Sequence, residues 1–254
     1  MNLSIKSFCS MILFESEARE SMRTLLFQGY LWGYILSKAN KTFTINKLNK
    51  VGKYKEKLEL INKLILQCTK KLVKISGADV TVTGTDNVPL DEPVLYVGNH
   101  QSNMDIPLLY STAPQTMAFV TKKEMEKIPL LGYWMKERGC VFIDRDNARS
   151  SLKAINQAIE NLKLGHAMAI FPEGTRSKGP QVGDFKSGSL RIAIKSGVKV
   201  IPVSIKDSYK LIEKNGKNTP AKVSLHYSEP IDSKKFKGTN ELAAEVLAQI
   251  KKHL

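Results

Sequence analysis

From residue 79 onward, short runs rich in Val, Ile and Phe alternate with segments whose apolar residues recur every three or four positions, and this alternation most constrains the fold. The runs predict strands over 80–82, 94–97, 117–121, 140–143, 167–171, 199–205 and 222–226. Between them the spacing predicts helices near 105–111, 123–137, 150–164, 187–195 and 240–252. In the third of these, Leu152, Ile155, Ile159 and Leu162 share one face and Gly165 supplies the stop. Strands separated by helices call for an α/β domain, here residues 78–254, with a largely parallel central sheet flanked by helices. The 254 residues, 42% apolar and 25% charged, exclude disorder over the whole chain and suffice for a sizeable core.

The first 77 residues have a different texture. The formal charge is +15, and residues 1–75 hold fourteen Lys and Arg against five Glu, more than half of the excess. Such a balance implies an acidic partner: nucleic acid, an anionic membrane surface or a phosphorylated substrate. The same stretch contains the uncharged run 24–37, TLLFQGYLWGYILS. As a helix it would rise only ~21 Å against a hydrocarbon core of ~30 Å, too little for a clean span. A signal peptide fits poorly, because Glu15, Glu17, Arg19, Glu20 and Arg23 precede the run and no small-residue cleavage pattern follows. Residues 40–52 read as polar and turn-like. A second helix is expected over 54–76, with Leu58, Ile61, Leu64 or Ile65, Cys68 and Leu72 on one face. Two apolar, basic helices suggest a membrane-associating segment; the alternative is that they cover the main core and their lysines form a solvated face.

The polar residues that look chemical follow the strands. Gly98 to Asp105 follows the second, Asp144 and Arg145 the fourth, and Pro172 to Ser177 the fifth. Ligands of open α/β sheets bind beyond the carboxyl ends of the strands, so one shared site is expected. His100 precedes Asp105 by five residues, a spacing that lets the carboxylate hold the ring's tautomer on a strand-to-helix turn. That supplies a general base. No G-x-S-x-G elbow activates a protein nucleophile, so the base should act on a substrate hydroxyl or on water. Arg145 and Arg176, with the N–H groups around Gly174, can hold phosphate; Glu173 and Arg176 could equally pair with each other. Cys9, Cys68 and Cys140 form no disulfide or zinc pattern, and no metal site is expected. Glycine-rich nucleotide loops and H-E-x-x-H are absent from the sequence.

These residues resemble the glycerophospholipid acyltransferases, most of all those acting on 1-acyl-glycerol-3-phosphate. Residues 99–105, NHQSNMD, look like the family's N-H-x-S-x-x-D block, which contains its H-x4-D pair; residues 139–145, GCVFIDR, resemble G-x-x-F-I-x-R. Residues 171–177, FPEGTRS, match a third block and residues 200–203, VIPV, a fourth. The resemblance implies direct acyl transfer from an acyl-CoA or acyl carrier protein thioester to the sn-2 hydroxyl of lysophosphatidic acid, with no cofactor beyond that donor. His100 would be the base and Asp105 its partner. Lys122, Arg145, Glu173, Gly174, Thr175 and Arg176 would bind the glycerol phosphate end, with Glu173 on a glycerol hydroxyl or positioning Arg176. Another lysophospholipid or glycerol 3-phosphate is the alternative acceptor. A basic, non-catalytic membrane- or nucleic-acid-binding protein would explain the charge but not the blocks, so no nucleic-acid partner is expected. The expected location is monotopic or peripheral on a membrane bearing anionic lipids, at its cytoplasmic face.

Overall fold

Strand β2, Val94–Gly98, is apolar along its whole length because it is covered on both sides. Val94 and Tyr96 enter one hydrophobic cluster, while Leu95 and Val97 enter another. Strand β5, Met168–Ile170, repeats the pattern: Ala169 joins the first cluster, Met168 and Ile170 the second. The period-two alternation of a strand thus divides its side chains between two cores. The computed structural model describes residues 2–144 and 147–254.

The other strands are β1 (Ala78–Thr83), β3 (Ala118–Lys122), β4 (Val141–Ile143), β6 (Lys199–Lys206), β7 (Ala221–Tyr227) and β8 (Ile231–Asp232). They form an eight-stranded sheet in the order β1-β7-β6-β2-β5-β3-β4, with β8 on β6. Pairing is parallel from β6 through β2, β5 and β3 to β4, and between β1 and β7. It is antiparallel where β7 and β8 meet β6. The fold is therefore α/β with a mostly parallel central sheet flanked by helices, as expected; β8, only two residues long, had no readable signal.

Helices α1 (Asn2–Ser37), α3 (Tyr54–Ser76) and α4 (Asp105–Thr112) lie over one face of the sheet. Phe27 and Leu72 are buried in the same cluster as Val94 and Tyr96. On the other face lie α6 (Ala148–Lys163), α7 (Arg191–Ser196) and α8 (Thr239–Lys251). In α6 the buried face runs through Ala154, Ala158, Ile159 and Leu162, whereas Leu152, expected on it, is 45% exposed. Small alanines let this helix sit close to the sheet, and apolarity alone points to the wrong edge of the stripe. Asn147 starts α6 by accepting a hydrogen bond from Ser150 N at 2.9 Å.

Two segments depart from expectation. Residues 41–50 form α2 (Lys41–Lys50) instead of a turn, because Ile45 is fully buried against Ile35, Ile61 and Trp134. Burying one such side chain contributes about 1.5–3 kcal/mol, enough to override a polar local sequence. Residues 123–137 are not one helix. A 3-10 turn, Lys123–Lys127, ends before Pro129, and α5 (Leu131–Arg138) starts afresh. Proline has no N–H to donate into a continuing ladder.

Helix α1 presents two different faces. One face is core: Phe27 and Ile35 are buried, Arg23 Nη1 donates to Ile75 O at 3.2 Å, and Thr24 Oγ1 accepts from Asn218 N at 2.7 Å. The other face leaves Met22, Leu25, Leu26, Trp32 and Leu36 exposed. No helix among the described residues is long and apolar enough to cross a membrane.

Candidate active site

Beyond the carboxyl end of β2 the chain turns sharply, and Asn99 makes the turn possible. Its side chain continues the strand pairing: Nδ2 donates to Ile205 O, and Oδ1 accepts from Ile205 N, both at 2.8 Å. The next residue, His100, is thereby set at the rim of the sheet. Its Nδ1 lies 2.7 Å from Asp105 Oδ2, with Asp105 fully buried at the start of α4.

Asp105 is saturated with donors. Oδ2 also accepts from Gln101 N at 2.7 Å and Ser102 N at 2.8 Å, and Oδ1 accepts from the Ser208 hydroxyl. Ser208 N in turn donates to Gln101 Oε1 at 3.1 Å. A carboxylate held this way keeps the proton of His100 on Nδ1, so Nε2 offers the lone pair. The imidazole stacks on Phe171, with ring centroids 4.3 Å apart and planes 12° from parallel. Phe171 belongs to the loop after β5, so the ring rests on the neighbouring strand's loop.

That loop is joined to His100 through the backbone. Ser177 N donates to His100 O at 2.8 Å, and His100 N donates to Glu173 Oε1 at 2.6 Å. Glu173 Oε2 accepts from Gly183 N at 2.8 Å. A Cβ on residue 183 would stand 2.8 Å from that oxygen, so the carboxylate would have to shift to admit one. Burial raises the Glu173 carboxyl above its ordinary value, against the lowering effect of the His100 and Gly183 N–H bonds. Glu173 does not pair with Arg176.

The partner of Arg176 is Glu213, whose Oε1 accepts from Nη1 at 2.7 Å. The same oxygen accepts from Asn103 N at 3.1 Å, so Glu213 ties the arginine to the loop that carries His100. Gly174 adopts φ +74°, where an L side chain is strained. Lys186 Nζ lies 3.2 Å from where a Cβ on Gly174 would stand, placing a cation over this turn. Thr175 is exposed on it. Lys122, at the end of β3, is exposed and pairs with Glu124 at 3.0 Å. Arg145 lies outside the described residues.

The structure therefore brings together His100, Asp105, Glu173, Gly174 and Arg176, with Lys122 at the carboxyl end of a neighbouring strand. Reading the sequence missed Ser208, Glu213 and Lys186. Ser208 and Glu213 follow β6, and the only signal for them was that β6 ends beside β2 in a parallel sheet. Lys186 follows the loop closed by Glu173 and carried no local pattern. Among the described residues, no group of three His, Cys, Asp or Glu could hold a metal. The arrangement can accept a proton at Nε2 next to guanidinium and ammonium groups suited to an anion.

A family model described as acyltransferase matches residues 79–206, from β1 to the end of β6. The chloroplastic 1-acyl-sn-glycerol-3-phosphate acyltransferase of Arabidopsis thaliana is 37% identical over 134 residues, covering 52% of this chain and 37% of that one. The 1-acyl-sn-glycerol-3-phosphate acyltransferase of Borreliella burgdorferi is 31% identical over 148 residues, covering 58% and 59%. The chain thus spans 37% and 59% of these two relatives' lengths. Among solved structures, the 1-acyl-sn-glycerophosphate acyltransferase of Thermotoga maritima superposes with a TM-score of 0.76 at 36% identity, covering 92% of this chain and 95% of that one.

Proposed function

The chain belongs to the acyltransferase family, and from that premise we propose that it transfers an acyl group from a thioester to the sn-2 hydroxyl of 1-acyl-glycerol-3-phosphate. The observation that carries the reading is the 2.7 Å contact of His100 Nδ1 with a buried, donor-saturated Asp105 beside the Arg176 loop. Nε2 of His100 takes the hydroxyl proton as the substrate oxygen attacks the thioester carbonyl. The C–S bond then breaks, and the leaving thiolate receives that proton from the imidazolium. Asp105 stabilises the imidazolium between the two events. No acyl-enzyme forms.

Arg176 and Lys186 suit the acceptor's phosphate, with Lys122 and Arg145 as further contacts. Glu173 holds the His100 peptide in place and cannot itself attract phosphate. The acyl donor is acyl-CoA or acyl carrier protein, whose thioesters present the same carbonyl, and no further cofactor takes part. Both lipids partition into bilayers, so the exposed Leu25, Leu26, Trp32 and Leu36 on α1 are assigned to one leaflet of a membrane. The +15 charge favours anionic head groups, and the enzyme rests monotopically on the cytoplasmic face.

The test is a labelled acyl-CoA and a labelled acyl carrier protein offered with lysophosphatidic acid, lysophosphatidylcholine and glycerol 3-phosphate in turn. Lysophosphatidic acid should be acylated at the highest kcat/KM, and folded His100→Ala should lose roughly 10³-fold or more in kcat. Preference for another acceptor would reassign the substrate. Near-normal turnover by His100→Ala would remove His100 from the chemistry.

A further inference from the structure

Three loops meet beyond the carboxyl edge of the sheet, and one side chain joins them. Strands β6, β2 and β5 lie side by side and parallel, so the segments that follow them emerge at the same edge. Glu213 follows β6, Ser102 and Asn103 follow β2, and Arg176 follows β5. Glu213 Oε1 accepts from Arg176 Nη1 at 2.7 Å, from Asn103 N at 3.1 Å and from the Ser102 hydroxyl at 3.4 Å. The arginine thus meets a carboxylate that is itself fastened to the His100 loop.

The carboxylate is held from behind. Glu213 N donates to Tyr209 O and Thr219 N to Leu211 O, both at 2.9 Å, which closes the loop on the 3-10 turn Ser208–Leu211 after β6. Asn218 N donates to Thr24 Oγ1 at 2.7 Å, and Asn215 Nδ2 donates to Glu20 Oε2 at 3.2 Å, so α1 braces the same loop. The Glu213 side chain is only 8% exposed, whereas that of Arg176 keeps 31% of its surface. A guanidinium carries five N–H donors in a fixed fork, and the contact with Glu213 is made through Nη1. Pairing with Glu213 therefore orients the fork without covering it.

We propose that Glu213 is a positioning residue for the acceptor: it fixes the fork of Arg176 beside the His100 loop, so that the phosphate of 1-acyl-glycerol-3-phosphate meets an arginine already in place. The inference rests on the reading of Arg176 as a phosphate contact. Ordering one long side chain on binding weakens affinity by roughly 2- to 12-fold, and a carboxylate that orders it beforehand removes that loss. Negative charge beside a phosphate acts the other way, since a mere competitor for Arg176 would weaken acceptor binding. Geometry favours the first effect. Two donors from the β2 loop hold Oε1 independently of Arg176, as befits a fixed post and not a displaceable plug.

The test measures KM of the full chain for a short-chain 1-acyl-glycerol-3-phosphate below its micelle concentration and without vesicles, so that membrane binding by α1 does not enter. The donor, acyl-CoA or acyl carrier protein thioester, is whichever supports the higher kcat/KM, held at saturation. Glu213→Ala should raise the acceptor KM roughly fivefold and leave the donor KM unchanged. Glu213→Asp keeps the charge but is a methylene too short to serve Arg176 and the β2 loop together, and it should do the same. The aspartate variant decides the matter if Glu213→Ala does not fold. Glu213→Gln, whose amide oxygen can take the place of Oε1, should recover most of the loss. On an Arg176→Ala background, where the acceptor KM is already raised, Glu213→Ala should add less than about twofold. A lower acceptor KM in Glu213→Ala would make the carboxylate a competitor and overturn the proposal. So would a fall in kcat or Tm with the acceptor KM unchanged, the mark of a purely structural brace. If Arg176→Ala itself leaves the acceptor KM unaltered, the phosphate reading of Arg176 fails and takes the proposal with it. A raised KM in Arg176→Ala beside an unaltered one in both Glu213→Ala and Glu213→Asp sinks the proposal alone.

Discussion

At Asp105 four donors converge on one buried carboxylate: His100 Nδ1, the amides of Gln101 and Ser102, and the Ser208 hydroxyl. An asparagine there would turn its –NH2 toward at least one of them, leaving a buried donor unmet at a cost of about 1–3 kcal/mol. Asp105→Asn should therefore lower Tm by ~3–10 °C while lowering kcat by roughly 10³-fold or more through the wrong imidazole tautomer. Calorimetry and turnover on the same preparation check both. An unchanged Tm would show that the network contributes nothing to folding. The His100–Asp105 pair was legible because both residues lie in one short segment after a strand. Ser208 and Glu213 were not, since a polar residue after β6 has no partner until the sheet brings β6 against β2. The contact of Glu173 with a backbone N–H has no sequence signature.

Among the elements, α1 has its sides in different surroundings, and only one is accounted for by the protein. Replacing Leu25 and Trp32 together by Glu puts charge on the exposed side alone, where substitutions usually change stability by under about 0.5 kcal/mol. We expect Tm to hold while partition onto anionic vesicles falls at least tenfold in sedimentation. Unchanged partition would assign that face to something other than a bilayer. The sequence showed that this segment was apolar and too short to span, but not which residues would be taken by Ile75 and Asn218. For α2 the burial of Ile45 was decided by Ile35, Ile61 and Trp134, all distant in sequence, so a polar stretch became helical. Strands β2 and β5 were the easiest to read, because burial on both faces leaves an unbroken apolar run.

For the molecule as a whole, one pH response is written into the β1–β7 edge of the sheet. His226 on β7 stacks on His253 near the C-terminus, with ring centroids 3.6 Å apart, and its Nδ1 lies 2.8 Å from Thr83 Oγ1 on β1. Burial, and then the neighbouring His253, holds His226 below its ordinary value. A base with a lowered folded-state pKa contributes stability above its unfolded value, near ~6.5, and loses it as pH falls through the folded one. Tm should therefore drop on going from pH 7 to pH 5. In His226→Phe, which keeps a ring to stack but cannot take a proton, scanning calorimetry should show a smaller drop. An equal drop in both proteins would place the acid sensitivity elsewhere.

The two backbone hydrogen bonds that clasp His100, one to Glu173 and one from Ser177, carry a lesson for protein engineering. A designer who transplanted residues 99–105 alone onto another parallel sheet would move the base and its carboxylate but leave behind what fixes the peptide between them. The smallest portable unit is two loops from neighbouring strands, extended as far as Gly183 so that the carboxylate at 173 keeps both of its partners. Any scaffold chosen to receive it must place those two strands side by side in the same direction, as β2 and β5 are here.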